Sequence, residues 1–275
     1  MSITLTYLGN TSIPVEVEGL TPDWAVGKSV AEIERFEIFH GNEKMPLAEM
    51  FAISGDPSDQ RFDFDGNVSG VHWIGAGMRQ GTIYIHGPAG RHLGSELRGG
   101  EIHVEGNAGG WAGCEMRGGF IHVRGDAGHL VGAAYRGSAQ GMRGGLIVVD
   151  GNTGDEVGLL MQQGTIIVGG TAGDMIGFGM VDGTIVVSGN AGIRPGAGMR
   201  GGSIALMGGA LPAILSSFRF SRTAKPKNLL GALKDLDCEG RIAGGMRVPD
   251  EVDIYLGDLV TDGTGELYVP HVKDG

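Results

Sequence analysis

The residues of this sequence that could carry chemistry are two histidines, a line of arginines and scattered carboxylates. His103 and His122 lie 19 residues apart at equivalent positions of a repeat, and two imidazoles can begin a metal site. The equivalent positions in the other repeats supply no third ligand, since they hold Tyr84, Val148, Ile167, Val186 and Ala205. We therefore expect no metal site at these histidines.

The carboxylates and cysteines form no converging set either. The acidic residues between 96 and 182 fall at different repeat positions, without the repeated carboxylate pairs that sugar-cleaving β-helix enzymes use. Cys114 and Cys238 belong to no CxxC motif, which argues against an iron–sulfur cluster or structural zinc. We expect no catalytic residue and no metal ligand in this chain.

Arginine is the exception, because it recurs at one position of the repeat. The residues at that position are Arg79, Arg98, Arg117, Arg143 and Arg200, with Gln162 and Val181 in the gaps. Guanidinium groups pair with carboxylates in a bidentate manner. This arginine column could bind an acidic partner or an anionic ligand tail, or it could consist of solvated residues that pack their stems on neighbouring turns.

The elements that must position these residues are set by a 19-residue period. Gly87, Gly106 and Gly125 are 19 residues apart, and the same spacing returns from Gly151 to Gly208 after one interval of 26. The period aligns two aliphatic positions two residues apart, such as Ile102 and Val104, and a third position that is mostly methionine. Such alternation predicts short strands whose aliphatic residues face an interior, with glycine at the corners. The sequence therefore predicts an all-β fold, a right-handed parallel β-helix of 19-residue turns.

Three segments follow from the extent of the repeat. We predict an N-terminal cap over residues 1–65, the β-helix over 66–208 and a C-terminal cap or extension over 209–275. The stretch 221–230 is predicted to be a loop. Asparagine and aspartate residues after the repeat glycines are expected to bond their local backbone.

Two outward features favour contact with other proteins. Val148, Ile167 and Val186 should point away from the interior although they are apolar, so a partner or the C-terminal segment of the same chain must cover them. Tyr84 belongs to the same strip. A seven-residue insertion bulges from one turn, and Tyr135 and Arg136 are its candidate contact residues.

Bulk properties exclude several classes of partner. A formal charge of −11 and a pI near 5.1 disfavour nucleic acid and anionic membranes. No apolar run approaches the roughly 18 residues that cross a bilayer, and no signal peptide is evident. We expect a cytoplasmic protein.

Several motifs resemble the C subunit of formylmethanofuran dehydrogenase. They are the M-R-G-G-x-I-x-V turns, the insertion at 133-AAYRGSAQGMRGG-145 and the N-terminal stretch 26–59. The similarity extends over roughly residues 1–208, and 209–275 match less clearly. The repeats alone are more distantly similar to the C-terminal domain of the glutamate synthase large subunit.

The resemblance implies a non-catalytic scaffold subunit in one-carbon metabolism. In the bacterial formyltransferase/hydrolase complex, a formyl group passes from tetrahydromethanopterin to a methanofuran-type carrier and is hydrolysed to formate. The implied partners are amidohydrolase-like, formyltransferase-like and molybdoenzyme-like subunits, and metals belong to those subunits. A GC-rich, arginine-biased composition favours this complex over the archaeal molybdenum or tungsten dehydrogenase that reduces CO2. An independent β-helix enzyme or binding protein is the remaining alternative.

Overall fold

The computed structural model describes residues 2–210, 212–242 and 248–272, and within them the protein is mostly β. A 13-stranded sheet runs through the molecule, and a four-stranded sheet lies near the N-terminus. None of the described helices combines the length and the hydropathy needed to span a membrane.

The N-terminal segment contributes strands to both sheets. Its elements are β1 (Ile3–Tyr7), β2 (Val15–Glu16), α1 (Pro22–Ala25), α2 (Val30–Ile33), β3 (Glu37–His40), β4 (Glu43–Pro46), β5 (Phe51–Gly55), β6 (Arg61–Asp65) and β7 (Val71–His72), with 3-10 turns at Leu47–Glu49 and Pro57–Asp59. In the large sheet β5 is the end strand, followed by β1 and β6, and the small sheet has the order β4-β3-β2-β7. The alternation of Ile3 and Leu5, both fully buried, explains why β1 forms.

The repeats form the central strands of the large sheet. These strands are β8 (Thr82–Ile85), β9 (Glu101–Val104), β10 (Phe120–Val123), β11 (Arg143–Val149), β12 (Gln163–Val168), β13 (Thr184–Val187) and β14 (Ser203–Leu206). Each pairs in parallel with the next, so that Ile102 faces Ile121 and Ile121 faces Ile147 across the insertion. The two aliphatic positions and the methionine position are buried in every repeat, as their spacing predicts.

A second row of contacts joins the same turns on another side. Isolated parallel bridges connect Val68, Ala89, Ala108 and Ala127 in succession and continue from Ala127 to Thr153. The partners from Ala89 to Ala127 are 19 residues apart, so these bridges repeat the spacing of the paired strands.

The asparagine and aspartate residues bond the neighbouring turn, so the expectation of local bonding is wrong. The Asn107 side chain accepts from the backbone N–H of Asp126 at 2.9 Å, and Asp126 accepts from that of Asn152 at 2.7 Å. Asn152 continues the ladder to Thr171 at 2.9 Å. Stacking in register brings the next turn's backbone within reach of each side chain, and a single turn viewed alone does not reveal this.

The C-terminal segment extends the sheet and then covers its outer face. Its elements are β15 (Arg219–Ala224), α3 (Lys227–Cys238), β16 (Val252–Gly257), a 3-10 turn (Leu259–Thr261) and β17 (Gly265–Pro270). Strand β17 pairs in parallel with β14, and β16 and β15 follow in antiparallel order. Residues 221–230, predicted as a loop, thus belong largely to β15 and α3. The loop prediction is wrong because β15 is exposed on both faces and lacks the alternation that marks a strand.

Candidate functional site

The arginine column lies on one corner of the stacked turns. Each arginine follows a buried residue of the methionine position, as Arg98 follows Leu97, and therefore points outward. The backbone N–H of Arg98 donates to the carbonyl of Met78 at 2.8 Å, and that of Arg117 to Leu97 at 2.7 Å. These bonds keep the arginines in register from turn to turn.

Two of the five arginines are neutralised by glutamates of the preceding turn. Arg117 Nη2 lies 3.3 Å from Glu96 Oε2, and Arg143 Nη2 lies 3.8 Å from Glu115 Oε2. Within the part of the chain that the structure describes, Arg79, Arg98 and Arg200 form no ion pair. The positive charge that could meet an anion is therefore concentrated on these three residues.

The insertion loop joins this corner through Glu115. The Tyr135 backbone N–H donates to Glu115 Oε1 at 3.3 Å, and Arg143 Nη1 donates to the side-chain oxygen of Gln140 at 3.2 Å. Arg136 is exposed at the loop. The structure thus brings together two groups of residues singled out from the sequence, the arginine column and the loop.

An aromatic stack on the same side of the turns was not predicted from the sequence. The rings of Trp73 and His92 are parallel with centroids 4.0 Å apart, and Trp111 continues the stack 5.2 Å from His92. Tyr135 of the insertion lies 5.9 Å from His92 and 6.2 Å from Trp73. The 19-residue spacing of 73, 92 and 111 was a usable signal. What the sequence lacked was the backbone conformation, since all three residues have φ between 61° and 66° and so project alike from the corner.

Burial lowers the pKa of the His92 imidazole to about 4, and nearby His72 and Arg91 add smaller effects in the same direction. Its Nδ1 is buried and makes no hydrogen bond with the described residues. Burial also raises the pKa of the Tyr135 hydroxyl. At neutral pH the stack is therefore uncharged.

Two cavities flank the aromatic stack. One, of about 350 Å³, lies where the N-terminal segment meets the turns and is lined by Glu18, Thr21, Trp73, Ser95, Glu96 and Arg98. The other, of about 540 Å³, is lined by residues that include Trp111, Leu130, Met175, Arg91, His129 and Asp155. Arg98, which forms no ion pair among the described residues, is the residue by which the arginine column reaches a cavity, and Glu18 and Glu96 line the same cavity.

The outward apolar strip is covered by the chain itself. Val148, Ile167 and Val186 are almost completely buried against Leu229 and Leu233 of α3. This corrects the hypothesis that they meet a partner subunit, because their surface is already occupied. Intramolecular packing was the other alternative for this strip.

Tyr84 is not among the residues that α3 covers, and its side chain remains partly exposed. Its ring stacks on His103 with centroids 4.8 Å apart, and the Arg61 guanidinium lies 4.2 Å from the ring centre. Tyr84 therefore stays a candidate contact residue.

The two in-phase histidines are each engaged by a carboxylate. His103 Nε2 lies 3.1 Å from Glu101, and His122 Nε2 lies 3.0 Å from Asp150. Burial lowers the pKa of His103, and the neighbouring Glu101 opposes that effect. Residues 2–210, 212–242 and 248–272 contain no group of three or more side chains arranged to hold a metal ion.

Comparisons with known proteins find both sequence and structural relatives, whereas no family model matches. A segment covering 34% of the chain is 41% identical to the C subunit of molybdenum-containing formylmethanofuran dehydrogenase 1 from Methanothermobacter thermautotrophicus. A segment of similar extent is 39% identical to the C subunit of tungsten-containing formylmethanofuran dehydrogenase 2 from the same organism. These matches span 24% and 36% of the lengths of those two relatives.

The structural match extends over almost the whole chain. It is to the FhcC polypeptide in the X-ray structure of the formyltransferase/hydrolase complex FhcABCD from Methylorubrum extorquens in complex with methylofuran. The TM-score is 0.89 at 31% identity, and the match covers 98% of this chain and 100% of the other.

Proposed function

Because the chain belongs to the family of formylmethanofuran dehydrogenase C subunits, we propose that it is the non-catalytic scaffold subunit of a formyltransferase/hydrolase complex. The observation that carries the proposal is the end-to-end correspondence with a polypeptide of FhcABCD, which includes the C-terminal segment. The complex would transfer a formyl group from tetrahydromethanopterin to a methanofuran-type carrier and hydrolyse it to formate in the cytoplasm.

The archaeal dehydrogenase is the second candidate. It is favoured by the 35–41% identity of segments of this chain to the C subunits of molybdenum and tungsten enzymes. We prefer the hydrolytic complex because the correspondence with the FhcABCD polypeptide extends over 98% of this chain and 100% of that one, at 31% identity.

We further propose that the stacked turns form a right-handed parallel β-helix over 66–208, capped by 1–65 and 209–275. Two observations support this architecture. Strand partners such as Ile102 and Ile121 are 19 residues apart, and the bridges from Ala89 to Ala108 and Ala127 repeat that spacing on another side. The handedness rests on the general preference of parallel crossovers.

The scaffold would meet its ligand and partners at the arginine corner. An anionic carrier tail fits Arg79 and Arg98, which are exposed and unpaired within the described chain. It fits Arg117 and Arg143 poorly, since Glu96 and Glu115 already neutralise them. We therefore narrow the hypothesis from the whole column to its N-terminal end beside the Trp73 cavity.

Partner contacts of the scaffold are proposed at Tyr135 and Arg136 in the insertion loop and at Tyr84. Tyr135 packs on the aromatic stack and Arg136 is exposed beside it, so that the loop is anchored at one residue and available at the next. An aromatic anchor with an adjacent arginine is a frequent composition of protein interfaces.

Copurification from the native host tests the proposal. An affinity-tagged chain should elute with amidohydrolase-like, formyltransferase-like and molybdoenzyme-like subunits, identified by mass spectrometry, and the eluate should release formate from formyl-tetrahydromethanopterin. A complex that instead oxidises the formylated carrier with an electron acceptor would favour the dehydrogenase. A single chain with turnover of its own would refute the scaffold role.

A further inference from the structure

Strand β15 ends the large sheet and is open on its outer edge. It pairs only with β16 in the sheet order, and no described strand lies on its other side. Five of its six residues are exposed, so neither face is covered along most of its length. An open edge of this kind presents unpaired backbone N–H and C=O groups to any extended segment that can approach.

The same edge carries a concentration of positive charge. Between positions 219 and 227 the sequence has Arg219, Arg222, Lys225 and Lys227 and no acidic residue, although the chain has a formal charge of −11. Arg222 lies 3.5 Å from Glu266 in an exposed pair. The other three form no ion pair among the residues that the structure describes. Charge on this edge is therefore largely unbalanced.

A small cavity and an exposed aromatic ring flank the edge. The cavity, of about 220 Å³, is lined by Arg222, Lys225, Lys227, Asn228 and Tyr268 among others. It lies at the start of α3, whose N-terminus has no side-chain cap. On β15 itself the Phe220 ring is 56% exposed, with its centroid 5.7 Å from that of Tyr255. An acidic side chain and an apolar one on a docked strand would each find a complementary site here.

We infer that β15 accepts an extended, acidic segment of a partner subunit, which adds a strand to the large sheet. The inference rests on the proposed function in so far as it requires an assembly of several different chains. Main-chain hydrogen bonds would supply much of the affinity, and the basic side chains would select the partner by charge. The same side chains, with the register shift between Phe220 and Arg222, disfavour pairing of two copies of this edge.

Hydrogen–deuterium exchange and crosslinking on the purified complex test the contact. Peptides covering 219–224 should exchange at least tenfold more slowly in the complex than in the isolated chain, whereas peptides of β12 should not change. A zero-length carbodiimide crosslinker should join Lys225 or Lys227 to aspartate or glutamate of a partner chain. Unchanged exchange in an intact complex overturns this inference and leaves the proposed function standing. Absence of any partner overturns both.

A variant without these charges tests whether the basic residues bind the partner or only prevent self-association of the open edge. The triple variant Arg219→Gln, Lys225→Gln, Lys227→Gln should bind the partner at least tenfold more weakly at 150 mM salt, with an unchanged circular dichroism spectrum. The control variant Arg124→Gln, Arg194→Gln, Lys234→Gln removes the same charge from exposed positions elsewhere and should bind normally. If the edge variant self-associates while the complex assembles with normal affinity, or if crosslinks join two copies of this chain, the inference is wrong.

Discussion

Arg241 donates to the Glu101 carboxylate at 2.7 Å, across 140 positions of the sequence. Its guanidinium also lies 4.5 Å from the centre of the Phe120 ring. One side chain thus ties the segment after α3 to both β9 and β10. Although burial raises the pKa of Glu101, hydrogen bonds from Arg241 and His103 outweigh that effect and hold the pKa below its usual value. This contact attaches the C-terminal segment to β9 and β10, next to the apolar strip that α3 covers.

Arg241→Gln should loosen that attachment. Because both partners are about one third exposed, we expect a loss of about 1 kcal/mol in unfolding free energy. Faster hydrogen exchange in α3 would locate the effect. Glu101→Gln should act similarly, and a double-mutant cycle should show coupling between the two residues. Additive effects would mean that the ion pair contributes nothing to docking.

The apolar contact beneath α3 should contribute more than the ion pair. Leu233 is 6% exposed and packs in one cluster with Ile167 and Val186, so Leu233→Ala should cost about 2 kcal/mol by urea unfolding. The matched change of exposed Leu259→Ala should cost little. Equal effects of the two variants would show that α3 is not held by this cluster.

The repeat made the interior predictable because each inward position recurs. Ile102 and Ile121 could be placed opposite each other from their spacing alone, and the structure pairs them. Burial at the methionine position could be predicted in the same way. Periodicity carries this information because a one-residue slip would turn every aliphatic side chain outward.

The corner and the C-terminal segment were less predictable for two physical reasons. Glu96, which pairs with Arg117, has a left-handed backbone with φ of 54°, and a glutamate in the sequence does not indicate that conformation. Strand β15 has no buried face to impose alternation, so its sequence resembles a loop. The position of a residue in the repeat predicts whether its side chain is buried, but it does not predict a backbone conformation that neighbouring turns stabilise.

Gly75 and Gly77 allow the cost of overpacking to be measured separately from the cost of backbone strain. Gly75 and Gly77 have φ of 70° and 69°, but an added Cβ would lie 2.6 Å from Ile102 Cδ1 at Gly75 and meet nothing within 4 Å at Gly77. Gly75→Ala should therefore cost about 3 kcal/mol, and Gly77→Ala about 1 kcal/mol from strain alone. The second position accepts side chains in other turns, as Glu96 and Glu115 show. Thermal unfolding of both variants measures the difference, and equal costs would contradict it.

His92 should make the protein less stable in acid. Its pKa of about 4 in the folded state lies below the value of roughly 6.5 expected when unfolded, so the unfolded chain binds the proton more readily. Stability from this group is complete above pH 6.5 and declines as the pH falls toward 4. The shift corresponds to roughly 3 kcal/mol, and we expect a loss of about 2 kcal/mol because the ring is only partly buried.

His92→Phe keeps a ring against Trp73 and removes the titration. Between pH 7.5 and 4.5 it should lose less stability than the unchanged protein in urea unfolding. Trp73→Phe is the control, because it alters the same stack and leaves the titrating His92 ring in place. If both variants keep the full acid sensitivity, burial of His92 is not its source.

The arginine corner gives the sharpest functional test, because residues of one column differ in pairing and position. Arg98→Gln removes an unpaired charge beside the Trp73 cavity and should raise KM for the carrier about three- to tenfold, with kcat and assembly unchanged. The charge-neutral double variant Glu96→Gln, Arg117→Gln should have a smaller effect, since these two charges already balance each other. Arg200→Gln is the matched control. It is an exposed member of the same column, but it lies five turns away, roughly 24 Å at the spacing of parallel strands.

Steady-state kinetics on the purified complex distinguish the cases. Equal increases for Arg98→Gln and Arg200→Gln would indicate a diffuse electrostatic effect, and no increase for either would show that the carrier tail does not bind this column.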